Sequence, residues 1–538
     1  MHEEISRALR GTPNPLAFRA LCAAVMRAGA DPDLLAWCDG RLGSWPDATR
    51  RAPYSWVAAL EAGFTKPVWR LVRSLDLTGR AGMRVLDLPD PRDTPEVRAV
   101  TDLRLAPFAV QQTMRLPEIA EHWEGLRSVE FGGLMKFEAP QLGRFLAGEV
   151  ATRLEALVLV RAEDDLRELP PVRIDRPTRL RHAGLRAPDL VHLLRTGLAP
   201  GLRSAEVLVA SAGEARDLAG CPAISSLDRL AIGFHDDTAA QEFFSRADIT
   251  NLSGLAVHGT SRPVSFDGMA RLRHLDLSGR TGRSPHHWQP EVRPIGDVTA
   301  LTGLVRLKSL NLAATGLTRQ DLRVVAELPL EHLDVSSNPV GGLPSVPWPT
   351  LRSVRLDNCG LGDDDLTSLP PEAPLLESIS LAHNDIRSDG ARTLARWPVL
   401  PQLWEMCLHD NVIGDDGLVD LARSRAAQRL LELDLEQDVG TAHHRRTSVP
   451  LPPEVVDGES FPNLDSMYLG LVDGYHLSRW SAGFPAELHE ELIRTGRPAL
   501  VAFLTHVKLL ELLDDEDPDP DPPVEDFRTS GGHPRGRP

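Results

Sequence analysis

Two neighbouring stretches decide the fold, LESISLAHNDIRSDGARTLARW at residues 376–397 and LWEMCLHDNVIGDDGLVDLARS at residues 403–424. Each opens with apolar residues at its first, fourth and sixth positions, and alternation of this kind is typical of a short β-strand. Each then places Asn at the ninth position and an apolar residue at the eleventh, followed by Ala and Leu at helical spacing. A strand, a turn and a helix in so few residues form a repeat unit that must stack on copies of itself to bury its apolar face.

The same frame recurs along most of the chain. Its clearest copies begin at Leu307, Leu330, Leu351, Leu376, Leu403 and Leu430. More divergent copies begin at Val72, Val100, Leu126, Leu154, Leu180, Leu202, Leu227, Leu252, Leu272 and Leu464. Most spacings between successive frames lie between 20 and 28 residues, so the sequence predicts a solenoid of about sixteen repeats.

The frame also predicts which way each side chain points. The fourth and sixth positions face the core, whereas the third, fifth and seventh positions face outward on a shared parallel sheet. The ninth positions of four strong repeats are occupied by Asn338, Cys359, Asn384 and Asn411. Because buried backbone amides must find partners, we expect these residues to form a ladder that satisfies the turn after each strand, with Thr315 substituting in the preceding repeat.

These units resemble the leucine-rich-repeat superfamily of bacterial and other proteins, and the later units resemble its ribonuclease-inhibitor-like class. The resemblance covers roughly residues 70–475. It implies an α/β solenoid, a curved horseshoe with a parallel concave sheet and with helices and loops on its convex side. In such units we expect Ser388 and Asp415 to be helix N-caps. For function the resemblance implies a binding scaffold; the superfamily includes inhibitors and GTPase-activating proteins, but no motif here selects either.

The ends of the chain do not carry the repeat. Residues 1–70 contain four helical segments, which predict a helical N-terminal cap or, alternatively, a separate partner-binding module. The repeats are assigned to residues 71–475. Residues 476–513 predict a helical C-terminal cap, and residues 514–538 form an acidic, Pro-rich tail of a composition typical of disorder.

Two gaps in the repeat, at residues 279–297 and 438–460, are rich in Pro and Gly and predict loops at the edge of the sheet. Loops on a rigid scaffold often carry recognition, but tolerated insertion is an equally acceptable interpretation. The sequence leaves both interpretations open.

Composition restricts the class of protein. The chain has 538 residues and a net charge of −17. This charge argues against nucleic-acid binding and favours a protein partner, for example one with a basic surface. No stretch approaches the roughly 20 apolar residues of a membrane span, and the start of the chain lacks the apolar core of a signal peptide. The five scattered cysteines form no CxxC pair, so we expect a cytoplasmic protein without disulfides.

Motifs for catalysis, cofactors or metal ions are not found. The His pairs at 286–287 and 443–444 are adjacent residues whose side chains point apart on an extended chain. Cys407 and His409 occupy the fifth and seventh positions of one strand, but no Gly-rich turn supplies an oxyanion site beside them. The sequence therefore predicts no enzyme, no cofactor and no metal site.

The outward positions of the later strands predict a partner-binding surface on the concave face. Four acidic residues on two adjacent strands would form an acidic patch there, which is either a solvated face or a dock for a basic partner. The predicted binding residues are His332, Asp334, Arg355, Asp357, Trp404, Glu405, His409, Glu432, Asp434, Glu436 and Tyr468.

The sequence thus favours a non-catalytic protein-binding scaffold. The alternative is a regulator, either inhibitor or activator, of a GTPase or another enzyme, for which an exposed arginine would be diagnostic. Arg355 is the only outward arginine of the strong repeats. A translocated effector, or an enzyme with an unrecognised site, is the third class considered.

Overall fold

The computed structural model describes residues 2–10, 12–61, 65–78, 86–105, 110–131, 139–162, 172–261, 264–279, 292–295, 297–343, 347–424, 426–434 and 466–468. Within these ranges the chain forms a parallel sheet of seventeen strands, in which each strand pairs with the next strand along the chain. Helical segments connect many of these strands. The architecture is the α/β repeat solenoid that the periodicity predicts.

The strands are short, mostly of three to six residues. They are β1 Arg51–Ala52, β2 Ser74–Asp76, β3 Asp102–Leu105, β4 Ser128–Phe131, β5 Ala156–Val158, β6 His182–Arg186, β7 Ser204–Val209, β8 Arg229–Phe234, β9 Gly254–His258, β10 His274–Asp276, β11 Ser309–Asn311, β12 His332–Asp334, β13 Ser353–Arg355, β14 Ser378–Ser380, β15 Glu405–Cys407, β16 Glu432–Asp434 and β17 Ser466–Tyr468.

The described α-helices are also short. They are α1 His2–Arg10, α2 Pro15–Arg27, α3 Pro32–Leu42, α4 Tyr54–Glu61, α5 Val110–Glu121, α6 Ala139–Ala147, α7 Glu149–Arg153, α8 Ala187–Thr196, α9 Ala212–Ala219, α10 Asp237–Phe244, α11 Arg319–Ala326, α12 Ser388–Ala395 and α13 Gly414–Arg423. In several repeats a 3-10 segment occupies the place of the helix, as at Pro222–Ser226, Val298–Gly303 and Asp365–Ser368.

Register follows the repeat frame. From β2 to β17 each strand pairs with its neighbour at equivalent positions, so that third positions align with third positions and fifth with fifth. The fourth and sixth positions are buried, as Leu75 and Leu77 are in β2 and Leu310 and Leu312 are near the middle of the array. All sixteen predicted frames therefore contribute a strand, and their predicted orientation is confirmed.

The ninth-position ladder is confirmed as well. The Asn338 side-chain oxygen accepts hydrogen bonds from the backbone N–H groups of Thr315 and Leu317, at 3.0 and 2.9 Å. Its amide nitrogen donates to the carbonyl oxygens of Leu312 and Val335, both at 2.8 Å. One buried side chain thus satisfies the turn of its own repeat and that of the preceding repeat.

Asn384 and Asn411 repeat this arrangement in their own turns. Cys359 takes part through its thiol, which donates to the carbonyl oxygens of Val335 and Asp357 at 3.5 Å each. Burial and the neighbouring carboxylates raise the pKa of this thiol to about 12, so it stays a protonated donor. Thr315 substitutes as expected, with its hydroxyl donating to the carbonyl of Leu312 at 2.6 Å.

The residue just before the ladder adopts a left-handed backbone in five successive repeats. These eighth positions are Ala314, Ser337, Asn358, His383 and Asp410, with φ between 52° and 58°. The conformation is uncommon outside glycine, and its recurrence shows that the ladder imposes it, since the chain must turn sharply away from the strand at this point.

The helix starts differ from the N-cap prediction. Ser388 is the first residue of α12, and its hydroxyl donates instead to the carbonyl of Ile413 at 2.8 Å. The N–H of Arg387 is satisfied by Asp363 of the preceding repeat, at 2.7 Å. Asp415 lies inside α13. The prediction was wrong because stacking lets one repeat supply the cap of the next, which local spacing does not reveal.

The N-terminal helices form where the sequence predicts them, and α2 and α3 carry side-chain caps at Asn14 and Asp31. Residues 1–70 also contain a strand, because β1 pairs with β2 at the start of the sheet. The predicted C-terminal cap at 476–513 and the tail at 514–538 lie outside the described residues.

Helix α2 contacts strands that lie far apart in the sheet. It packs against β1 and against the 3-10 segment Pro67–Leu71. From the same helix, the Arg19 guanidinium donates to the Glu432 carboxylate of β16 at 2.6 Å, and both side chains are less than a tenth exposed. The helix therefore contacts the first strand of the sheet, β1, by packing and the sixteenth strand, β16, through a buried ion pair.

The ninth-position ladder leads to a stability prediction. Asn338→Ala is expected to lower the free energy of unfolding by at least about 2 kcal/mol, because two buried N–H groups lose their acceptor. Urea unfolding measures the change. Asn251→Ala, an exposed position, is the control and should unfold like wild type; equal stability of the two variants would contradict the ladder's role.

The ion pair between α2 and β16 leads to a second prediction. Arg19→Met removes the cation beside a buried carboxylate and should cost about 3 kcal/mol, whereas Arg19→Met with Glu432→Leu should recover most of the loss. Hydrogen exchange of α2 reports the effect locally, and urea unfolding reports it globally. We expect the backbone amides of α2 to exchange faster in Arg19→Met than in the double variant. Identical exchange in the two variants would show that the ion pair does not hold α2 in place.

Candidate functional site

A groove of about 480 Å³ runs over the middle of the sheet, across β6–β13. It is lined by the third, fourth and fifth positions of eight consecutive repeats. Because neighbouring strands lie about 4.8 Å apart, eight strands span about 34 Å. The polar residues that line the groove are His182, Ser204, Glu206, Arg229, His274, Asp276, Ser309, Asn311, His332, Asp334, Ser353 and Arg355.

At one end of the groove, His182 lies between two partners of β7. One of its ring nitrogens is 2.9 Å from the Ser204 hydroxyl, and the other is 3.5 Å from the Glu206 carboxylate. On the next strand Arg229 is exposed. Its side-chain stem passes over Gly254, where an added Cβ would lie 3.2 Å from the Arg229 Cγ. The small residue therefore leaves room for the arginine to lie across the sheet.

In the middle of the groove, Asp276 accepts a hydrogen bond from the Asn311 amide at 2.9 Å. Arg293, which belongs to the predicted loop 279–297, is buried at the adjoining edge and donates to the Val257 carbonyl at 2.5 Å. Burial lowers the pKa of Arg293 to about 10 although Asp276 opposes the shift. At least this part of the loop is anchored to the sheet.

At the far end, Arg355 connects two carboxylates. Its guanidinium donates to Asp357 at 2.9 Å and lies 3.6 Å from Asp334. Asp357 is buried and also accepts hydrogen bonds from the backbone N–H of Ala382 at 2.9 Å and from the Ser380 hydroxyl at 2.5 Å. These contacts order the arginine on the sheet.

The surroundings of several ionisable side chains in the groove shift their pKa values. Burial, followed by the charges of Arg229 and His332, lowers the pKa of His274 below its usual value, and burial likewise lowers the pKa of His332. Burial raises the pKa of Asp334 against the opposing charge of Arg355. Although burial opposes it, Asp357 and Asp334 raise the pKa of Arg355. The imidazoles are thus held in the neutral form.

Residues 160–162, which follow β5, lie close against β6 and β8. An added Cβ on Gly233 would lie 1.8 Å from the Ala162 carbonyl oxygen, and one on Gly184 would lie 2.6 Å from the Val160 carbonyl oxygen. The backbone of residues 160–162 therefore crosses β6 and β8 at distances that only glycine permits.

The predicted binding residues separate into groups. His332, Asp334 and Arg355 line the groove. Asp357 lies beneath Arg355 and supports it. Trp404 is half-buried, packs against the core and stacks with the Arg429 guanidinium 5.5 Å from its ring centroid.

The acidic patch is not the open surface that the sequence suggests. Glu432 and Asp434 are buried, the first by its ion pair with Arg19. Glu405 is half-buried and accepts a hydrogen bond from the Ser378 hydroxyl at 3.0 Å. Sequence reasoning could not place α2 beside β16, and this contact covers the patch. Glu436 lies outside the described residues, and Tyr468 is described only as part of the β17 backbone.

Cys407 and His409 both approach Asp434. The Cys407 thiol is 3.3 Å from one carboxylate oxygen, and the His409 Nδ1 is 3.9 Å from the other. Both side chains therefore converge on one buried carboxylate.

Most of the groove was missed by sequence reasoning. The missed residues belong to the divergent repeats, whereas the predicted binding residues all lie from β12 onward. They are His182, Glu206, Arg229, His274 and Asp276. The signal that finds them is present in the sequence, because they occupy third and fifth positions of the same frame.

The close approach at Gly233 leads to a third prediction. Gly233→Ala should lower stability by about 1–3 kcal/mol, because the added methyl group overlaps the Ala162 backbone and must displace residues 160–162. Thermal unfolding measures the loss. Gly303→Ala, where nothing lies within 4 Å of the added atom, is the matched control. A Gly233 variant as stable as this control would show that residues 160–162 do not pack there.

The structure contains no helix among its described residues that is long and apolar enough to cross a membrane. No curated protein matches the chain. One solved structure with a similar trace is an internalin from Listeria monocytogenes, which is 16% identical with a TM-score of 0.28, over 63% of this chain and 88% of the internalin.

A family model described as Leucine Rich repeat matches residues 373–395. This range contains β14, the ladder residue Asn384 and helix α12. The same strand register and ladder extend through the neighbouring repeats. The repeats of this chain are thus similar to leucine-rich repeats, and residues 373–395 match that family directly.

Proposed function

We propose that the chain is a non-catalytic scaffold that binds a protein partner in the groove over β6–β13. The observation that carries the proposal is the continuous surface of outward side chains on a rigid sheet about 34 Å long. A standard interface buries about 800 Å² on each partner, so a partner would also contact residues beyond the third to fifth positions that line the groove. Leucine-rich repeats generally serve as interaction scaffolds of this kind.

The charges of the groove support a partner that carries basic side chains. Glu206, Asp276 and Asp334 contribute three carboxylates to the groove, and Asp357 beneath it offsets the charge of Arg355. The net charge of −17 would steer a basic surface toward the chain. Nucleic acid would require the opposite balance.

Arg229 supports the second candidate, a regulator of a GTPase or another enzyme. Such a regulator acts through an exposed arginine. Arg355 is held by two carboxylates, whereas Arg229 is exposed within the groove. If the partner is an enzyme, Arg229 is therefore the residue we expect to influence its turnover.

The cysteines support a cytoplasmic location. None of the five cysteines, all of which the structure describes, forms a disulfide, and four of them are buried. Disulfides are rare in proteins of a reducing compartment.

The proposal is tested by a charge exchange that conserves net charge. Partners are captured from a lysate of the source organism, identified by mass spectrometry and purified for calorimetry. Arg229→Glu with Glu206→Lys inverts the charge pattern of the groove and should weaken the Kd at least about tenfold, or about 1.4 kcal/mol.

The matched control exchanges an exposed ion pair on the helices, through Arg195→Glu with Asp217→Lys. These residues lie 3.5 Å apart on α8 and α9. We expect wild-type affinity from this variant. Equal affinity of the groove variant and the control would place the contact elsewhere and overturn the proposal.

A further inference from the structure

Two histidines and an aspartate meet at the carboxyl ends of β14 and β15, outside the groove. His383 and Asp410 occupy the left-handed eighth positions of their repeats, and His409 occupies the seventh position beside Asp410. Each offers a ligand atom, and these atoms all lie within 4.8 Å of one another. All three residues are half-buried.

The repeat geometry brings these side chains together. Because the eighth position has the same backbone conformation in five repeats, its side chains stack along one edge of the sheet. The earlier members of this row are Ala314, Ser337 and Asn358. Among these five described members, only His383 and Asp410 carry an imidazole and a carboxylate. The His383 Nδ1 lies 2.8 Å from the Asp410 Oδ2, and the His383 and His409 ring centroids are 4.9 Å apart.

A second carboxylate stands behind the cluster. Asp434 is almost fully buried and lies 3.9 Å from the His409 Nδ1. Metal-binding histidines commonly direct their second ring nitrogen to such a carboxylate, which orients the ring.

We propose that His383, His409 and Asp410 bind a divalent transition-metal ion of the Zn²⁺ type, with Asp434 positioning His409. Two imidazoles and one carboxylate suit zinc, whereas Mg²⁺ and Ca²⁺ take oxygen ligands. Tetrahedral bonds of about 2.0–2.1 Å place ligand atoms about 3.3 Å apart, so side-chain rotations of modest size complete the site. Water would fill the fourth position, as in open zinc sites. This inference does not depend on the proposed function.

The test titrates Zn²⁺ into the full chain after chelator treatment and removal of any affinity tag. Wild type should bind one equivalent, and His383→Ala with His409→Ala should weaken that binding at least about 100-fold. Asp410→Asn, which keeps the side-chain shape, should weaken it at least about tenfold. Co²⁺ in place of Zn²⁺ should give the visible absorption of a tetrahedral ion in wild type only.

The sequence offers a matched control in its paired histidines at 286–287 and 443–444. Changing these four to Ala removes more imidazoles than the site variant does, and should leave the one-equivalent binding intact. Binding that disappears with these four residues, or that survives in the double His383 and His409 variant, would overturn the proposal.

A measurement of stability separates metal binding from misfolding. Zn²⁺ should raise the Tm of wild type and of the paired-histidine control, because it binds the folded state. It should leave the Tm of the double variant unchanged, while that variant retains the wild-type circular dichroism spectrum without metal. A Zn²⁺-induced rise of equal size in all three proteins would also overturn the proposal.

Discussion

Buried backbone amides at the turn after each strand impose the constraint on which the rest of the structure depends. Stacked repeats exclude water from these turns, so each N–H and C=O must find a partner inside the protein. Asn338, Asn384 and Asn411 supply both donors and acceptors from one side chain. Because each asparagine also reaches the preceding turn, the requirement holds adjacent repeats in one register.

Constant register has consequences on both sides of the turn. Along the sheet it aligns third and fifth positions into continuous rows, which form the groove over β6–β13. Past the strand it forces the eighth position into a left-handed backbone and stacks those side chains as well. The same repeat geometry therefore produces both the groove and the cluster of His383, His409 and Asp410. The chemistry of each site depends on which side chains occupy the aligned positions.

Electrostatics then divides the concave face. At β16 the carboxylate of Glu432 is buried in an ion pair with Arg19 of helix α2. The middle of the array keeps its carboxylates and Arg229 facing the groove. A charge that is buried in an ion pair stabilises the fold but is not accessible to a partner. Arg229 of β8 and Glu432 of β16 both occupy the third position of their repeats, and they have different roles for this reason.

The sequence by itself determined the repeat, its sixteen frames, the inward and outward faces, and the ladder at Asn338, Cys359, Asn384 and Asn411. These follow from contacts within one repeat or between neighbours, and periodicity encodes such contacts directly. It also identified His332, Asp334 and Arg355 as outward residues, since orientation on a strand follows from position alone.

Only the tertiary structure decided which outward residues are accessible. Arg19 lies more than 400 residues from Glu432 along the chain, and no local pattern predicts that they meet. The capping of Arg387 by Asp363 and the crossing of Ala162 over Gly233 are contacts of the same kind. The physical reason is that burial depends on what packs against a surface, and for these residues the packing partner comes from a different part of the chain.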